Sequence, residues 1–302
     1  MSQRSAKTAF LFPGQGAVPE TVLTDFLGTA VAKSYTRFAG TPPPPLPHFQ
    51  QSSITSDESA QLGVFHLTLA MGLEALDYCQ PDIVTGYSSG LYAAMVATGC
   101  LTHQQGDQAI RRAYSGVSKA GSDSMMVGVI GLHFEKVAVI LESLPAGGHL
   151  SLVNNKSQVI VSIARADFQP FKAQCHGAGA LNLISLPFVY PYHVPTLRST
   201  AEDLSDYFNG LVLPPLLIPM VVGAEPVYIQ RDANQVASLV ASQLHETVWW
   251  YKTIECLQNQ GAQTLVVFDP TGTLTRIIRW ISRQIKIIGI CSMNDFSQLR
   301  DV

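Results

Sequence analysis

Charge is scarce in this chain: 14% of its 302 residues are Asp, Glu, Lys or Arg, against 47% that are hydrophobic. The formal net charge of −3 supplies no basic face for nucleic acid or for an anionic membrane. Cysteine is thin as well. Cys79, Cys100, Cys175, Cys256 and Cys291 lie far apart with no C-x-x-C pair, which argues against a metal or disulfide framework and for a reducing compartment. The most apolar run, 211–224, is interrupted by Pro214, Pro215 and Pro219, so it does not read as a membrane span. The first residues lead straight into a strand without a signal-peptide pattern. What these absences leave is a soluble, cytoplasmic globular protein with no metal, no bound cofactor and neither nucleic acid nor membrane as partner.

One stretch organises the rest. Residues 82–85 read as a short buried strand, and Leu91 onward as an apolar helix. Between them Gly86-Tyr87-Ser88-Ser89-Gly90 matches G-x-S-x-G, a strand-to-helix turn that lifts the middle serine above a sheet. Such a turn also leaves the Ser89 N–H free to meet an oxyanion, with the positive end of the helix dipole beneath it. The plainer reading is a glycine-flanked βα turn in which Ser88 only caps the helix.

Around it the pattern is α/β. Residues 8–12 form a first buried strand, followed by the turn Pro13-Gly14-Gln15-Gly16, which has neither the Gly-Lys-Ser/Thr nor the G-x-G-x-x-G of a phosphate-cradling loop. Residues 41–47 are proline-rich and read as a stiff surface connector. A helix over 60–78, capped by Ser59, is expected to pack Leu62, Phe65, Leu69, Leu73 and Leu76 on the sheet. A second helix covers 104–119. The middle then reads β-α-β-β-α-β (125–132, 134–143, 150–153, 158–163, 167–176 and 180–186), the ferredoxin-like order. Helices are expected over 196–208, 233–244 and 275–284, and strands over 216–222, 264–268 and 286–290. The expected fold is an α/β-hydrolase-like large domain with a parallel sheet, 1–124 and 190–302, carrying an inserted ferredoxin-like small subdomain, 125–189.

Three separated pieces, Phe12-Pro13-Gly14-Gln15-Gly16, the serine turn, and Tyr190-Pro191-Tyr192-His193 after the insert, resemble the malonyl-CoA:acyl carrier protein transacylase family. That family also supplies the acyltransferase domains of polyketide and fatty-acid synthases. Gln243-Leu244 ahead of Val248-Trp249-Trp250, and the turn Asp269-Pro270-Thr271-Gly272, extend the likeness. The resemblance implies Ser88 as nucleophile, His193 as its general base and the N–H groups of Gln15 and Ser89 as oxyanion hole. It also implies the Gln243 main-chain carbonyl in the place of a triad acid. That suits a chain whose Asp107, Asp123, Glu135, Glu142 and Asp167 sit in surface-like contexts. The implied reaction is ping-pong: an acyl group, malonyl first, passes from its coenzyme A thioester to Ser88. It then moves to the phosphopantetheine thiol of an acyl carrier protein, the expected partner of a monomeric enzyme.

Three positions depart from the family. Tyr87 stands where histidine is usual before the nucleophile, and Leu91 where glutamate is usual. The family's arginine, which grips the malonyl carboxylate through a bidentate fork, aligns without gaps on Ala113; a shortened 102–108 segment brings Arg112 or Arg111 there. Arg112 is the chosen residue, with Tyr87, Tyr190 and Asn154 as further substrate contacts. If neither arginine faces the pocket, a monocarboxylic acyl group or simple hydrolysis is favoured. An acyl-thioester hydrolase, and a weakly active subunit that docks carrier protein, are the alternative functions.

Overall fold

The computed structural model describes residues 7–15, 29–40 and 57–302. The first half of the chain contains β1 (Lys7–Phe12), α1 (Ala30–Ala39), α2 (Asp57–Ala75), β2 (Ile83–Gly86), α3 (Gly90–Ala97) and α4 (His103–Ala120). The middle runs β3 (Ser124–Ile130), α5 (Phe134–Glu142), β4 (Gly148–Asn155), β5 (Gln158–Ala164), α6 (Phe168–Gly177) and β6 (Asn182–Ser185). The last part holds α7 (Arg198–Asn209), β7 (Met220–Val222), β8 (Val227–Ile229), α8 (Ala233–Ser242), α9 (Trp250–Asn259), β9 (Ala262–Val267), α10 (Thr273–Ile281) and β10 (Lys286–Gly289). The proline-rich stretch 41–47 and Gly16 lie outside the described residues.

Six strands form the larger sheet in the order β10-β9-β1-β2-β7-β8, parallel throughout except for β8. β1 sits near its middle, with Ala9 beside Ile83 of β2 and Leu265 of β9. Helices cover both faces, so β1 buries Ala9, Phe10, Leu11 and Phe12 alike and reads as a continuous apolar run instead of an alternating one. Phe10 and Phe12 each meet Phe268 with ring centroids 5.0 Å apart. Each such ring removed from water contributes roughly 1.5–3 kcal/mol. The chain leaves β1 for β2 on one side and later builds β9 and β10 on the other. A crevice therefore opens at the carboxyl ends of β1 and β2, where α/β sheets place their ligands.

The smaller sheet is antiparallel, ordered β4-β5-β3-β6, and its elements follow one another as β-α-β-β-α-β. It is tied to the rest beside the crevice. Val153 N–H donates to the Val248 carbonyl at 2.8 Å, and Val248 N–H returns a bond to Ser151 at 3.0 Å.

Some expected elements differ. Helix α2 already includes Asp57, which puts Ser59 inside its first turn instead of at a cap. This helix is buried almost all round, not on one stripe. The strand expected over 216–222 shortens to Met220–Val222, because Pro214, Pro215 and Pro219 have no N–H for a ladder. Segment 102–108 is no loop: Thr102 caps α4 through a reciprocal bond pair with Gln105. Asp167 is buried and accepts from Ala146 N–H, while Asp107 is half-buried against His66 and Arg111, so neither is the surface acid its context suggested.

Candidate active site

The serine turn is made by close approach. A Cβ at Gly90 would overlap the Phe12 carbonyl, and one at Gly14 would stand 2.6 Å from the Tyr87 carbonyl. Only glycine lets the ends of β1 and β2 press together in this way. The N–H groups of Gly90, Leu91 and Tyr92 bond the carbonyls of Tyr87, Ser88 and Ser89 and start α3. The Ser89 N–H is left at the helix tip beside Ser88. Gln15 is brought to the same place: its N–H donates to Ser89 Oγ at 3.1 Å.

His193 arrives from the segment after the smaller sheet. Its Nε2 lies 2.7 Å from Ser88 Oγ, and its Nδ1 lies 2.7 Å from the Gln243 carbonyl. A carbonyl only accepts, so Nδ1 carries the proton and Nε2 is the acceptor for the Ser88 hydroxyl. The ring is 3% exposed. Burial is the main cause that pushes its pKa down to about 4, with His149 adding to the fall and the Gln243 carbonyl opposing it. The imidazole is therefore neutral near pH 7 and ready to take a proton. Ser88 and His193 both have left-handed backbone, with φ of 53° and 59°, the only non-glycine residues among those described that do.

These residues share one cavity, lined by Gln15, Ser88, Ser89, His193 and Gln243, with Tyr87, Gln61, Ala113, Met126, Leu152 and Phe188 among its walls. Among the described residues, no cluster of three His, Cys, Asp or Glu side chains is placed to hold a metal ion, and no helix is long and apolar enough to cross a membrane.

Comparison with known proteins points the same way. No family model matches the chain. A malonyl CoA-acyl carrier protein transacylase from Staphylococcus aureus (strain COL) is 26% identical over 306 residues, spanning 96% of this chain and 97% of its own. A protein of the same name from Escherichia coli (strain K12) is 23% identical over 290 residues, covering 90% and 92%. The chain resembles malonyl-CoA:acyl carrier protein transacylases. Solved structures agree on this fold. A malonyl-transacylase in complex with a type II polyketide synthase acyl-carrier protein superposes with a TM-score of 0.88 at 19% identity, over 98% of this chain and 99% of that one. An acyl carrier protein S-malonyltransferase from Vibrio cholerae gives 0.85 at 21% identity, over 97% and 100%.

Within this transacylase-like fold the substrate contacts expected from sequence are scattered. Tyr87 lines the cavity, stacks edge-on against Trp250 with centroids 4.9 Å apart, and donates its hydroxyl to Asn154 Oδ1 at 2.8 Å. Asn154 is buried and reaches the site only through that tyrosine. Tyr190 packs edge-on against Tyr114 and does not line the cavity. Arg112, expected to face the acyl group, is exposed and lies over the Tyr207 ring, 4.6 Å from its centroid. Arg111 bonds Asp107 at 2.6 Å and reaches Glu58 at 3.6 Å. The residue of α4 that faces the cavity is Ala113, where the ungapped count from Ser88 ends.

Sequence reasoning missed Asp57. It is 2% exposed. It accepts from Gln15 Nε2 at 2.9 Å, from Val189 N–H at 3.0 Å, from Tyr190 N–H at 3.3 Å and from the Tyr192 hydroxyl at 3.3 Å. Gln61, one turn further along α2, donates to the Gln15 side-chain oxygen at 3.1 Å. One carboxylate thus ties the turn that carries Gln15 to the segment that carries His193. The available signal was a polar pair, Asp57 and Gln61, spaced i, i+4 at the start of a largely apolar helix.

Proposed function

We propose that this chain is an S-acyltransferase that moves an acyl group from coenzyme A to the phosphopantetheine thiol of an acyl carrier protein through a Ser88 acyl-enzyme. The observation that carries this reading is the 2.7 Å contact between Ser88 Oγ and Nε2 of a buried, neutral His193 whose other nitrogen is held by a main-chain carbonyl. In the first half-reaction Ser88 Oγ attacks the thioester carbon and His193 Nε2 takes the hydroxyl proton. Negative charge gathers on the carbonyl oxygen, where the Ser89 N–H and the tip of α3 stabilise it, and the Gln15 N–H joins them by exchanging its bond to Ser89 Oγ for one to the oxyanion. Collapse breaks the C–S bond, and the imidazolium returns its proton to the departing thiolate. In the second half the carrier protein's thiol repeats these steps from the other direction and leaves Ser88 free. The imidazolium needs no buried acid in this scheme, because the Gln243 carbonyl orients the ring and faces its positive Nδ1–H.

Malonyl is the acyl group in the relatives' names, and coenzyme A and acyl carrier protein are the donor and acceptor that the resemblance supplies. The test is to incubate the protein with acyl-CoAs, read the intact mass, and then add holo-acyl carrier protein. One acyl mass on Ser88, lost in Ser88→Ala, followed by its appearance on the carrier protein, is the expected result. Release as free acid faster than transfer would make the protein an acyl-thioester hydrolase. Undiminished transfer by Ser88→Ala would remove the acyl-enzyme and leave a docking subunit.

A further inference from the structure

Among the described residues, no Lys or Arg lines the cavity that holds Ser88 and His193. The two arginines of α4 are turned away and engaged elsewhere, Arg112 on the Tyr207 ring and Arg111 with Asp107 and Glu58. Neighbouring positions on a helix point about 100° apart, so with Ala113 facing in, Arg112 cannot also do so without turning the helix. Ala113 is 3% exposed and fixed in the core, which rules out such a turn at low cost. The remaining wall is hydrocarbon from Met126, Leu152, Ile160, Phe188 and Leu244. His193 is uncharged near neutral pH for the reasons given above.

The polar side chains that line the cavity are neutral, and several are already committed. Gln15 has its amide nitrogen on Asp57 and its oxygen on Gln61. Tyr192 donates to Asp57, and Tyr87 to Asn154. Asp57, an acid, lies one hydrogen bond behind Gln15 and Tyr192. A carboxylate carried in on the acyl group would lose its water, meet no positive partner, and sit close to a charge of its own sign. Burying an unpaired ion in this way is strongly unfavourable. An uncharged acyl chain meets only the apolar contacts that favour it.

We infer that the acyl group this site accepts is uncharged, a simple monocarboxylic acyl such as acetyl, propionyl or butyryl, and not a dicarboxylic half-ester such as malonyl. The inference rests on the Ser88 acyl-transfer reading and narrows its substrate class. It assigns Ala113 as the position that sets the class, since a basic side chain there would project into the cavity.

Single-turnover acylation of the intact protein decides it, with acetyl-, propionyl-, butyryl-, malonyl-, methylmalonyl- and succinyl-CoA each read by mass. The neutral group is expected to load at least about tenfold faster than the three carboxylated ones, a preference of ~1.4 kcal/mol or more. Malonyl loading as fast as acetyl, or faster, overturns the inference and leaves acyl transfer standing. No loading from any of the six removes the acyl-transfer reading and this inference with it. In Ala113→Arg the malonyl-to-acetyl ratio is expected to rise at least about tenfold. A folded variant with an unchanged ratio would show that position 113 does not set the class. Because the readout is a ratio within one preparation, partial misfolding does not mimic the shift, and if the variant fails to fold the parent's own ratio still decides.

Discussion

The two sides of Ser88 are built on opposite plans. Towards His193, each polar atom has a partner at fixed distance: 2.7 Å from hydroxyl to imidazole, 2.7 Å from imidazole to the Gln243 carbonyl, 3.1 Å from Gln15 N–H to Ser89 Oγ. Towards Ala113 the wall offers hydrocarbon and neutral hydroxyls, with no directed charge. The difference teaches that reactivity and substrate choice are assigned to separate pieces of chain. Proton transfer requires hydrogen bonds that hold one tautomer in one orientation. Acyl selection here depends on what the wall leaves out.

The comparison breaks most sharply at the reacting pair. Ser88→Ala and His193→Ala are each expected to lower single-turnover acylation by about 10⁴-fold or more, and the double variant no further than the worse single one. A double variant whose loss is the product of the two would mean that the pair does not act as a unit. Next is Asp57→Ala. It leaves the Gln15 side chain, two backbone N–H groups and the Tyr192 hydroxyl without their acceptor, and is expected to cost about 3 kcal/mol in a denaturant melt. Acylation should slow as well, because the carboxylate joins the segments of Gln15 and His193; an unchanged rate in the folded variant would make Asp57 purely a matter of stability.

Acidity sharpens the same contrast. Only the neutral imidazole accepts the Ser88 proton, and burial lowers its pKa from 6.5 to about 4. Acylation is therefore expected to hold as pH falls to about 5 and then to drop roughly tenfold per unit below about 4. An acid limb centred near 6.5 would mean that the ring is not dry. The same shift bears on folding. The unfolded chain takes up this proton at a higher pH than the folded one, so His193 contributes stability above about pH 6.5 that is lost as pH falls towards 4. The smallest effect is expected from Tyr87→Phe. It removes the hydroxyl bond to Asn154 and leaves the Trp250 contact, at about 1 kcal/mol in a thermal melt. A loss several times larger would show that the smaller sheet is held to the serine turn chiefly by this bond.

What could be read in the sequence follows the same division. Ser88, Ser89 and Gln15 belong to short motifs whose spacing already dictates a turn, and Gln243 acts through a carbonyl that every residue has. The serine turn itself was readable from local spacing, whereas the roles of Gln15, His193 and Gln243 came from the resemblance to the transacylase family, since their contacts span 50 to 105 positions. Five strands of the larger sheet and the β-α-β-β-α-β insert were legible from apolar runs and their order, while the short antiparallel β8 was not. Asp57 was not, because Val189, Tyr190 and Tyr192 lie 132 to 135 positions away and Gln15 lies 42 away, and the i, i+4 pair with Gln61 says nothing of which segments it joins. Arg112 was misplaced by a single step along α4, a change invisible to spacing and decisive for direction. Helix α9 escaped notice because it opens on Trp250-Tyr251, aromatic residues with modest helix propensity, of which Trp250 packs against Tyr87 of the serine turn and Tyr251 against Trp249.

Ser88 and His193 share one further property, a backbone bend that suits glycine or asparagine better than either residue present, at roughly 1–3 kcal/mol each. Thermal endurance and reactivity therefore pull against each other at both positions. Breeding this protein for heat tolerance alone, without asking it to turn over, should drift towards glycine or asparagine at 88 and 193. The survivors would be hardier and inert.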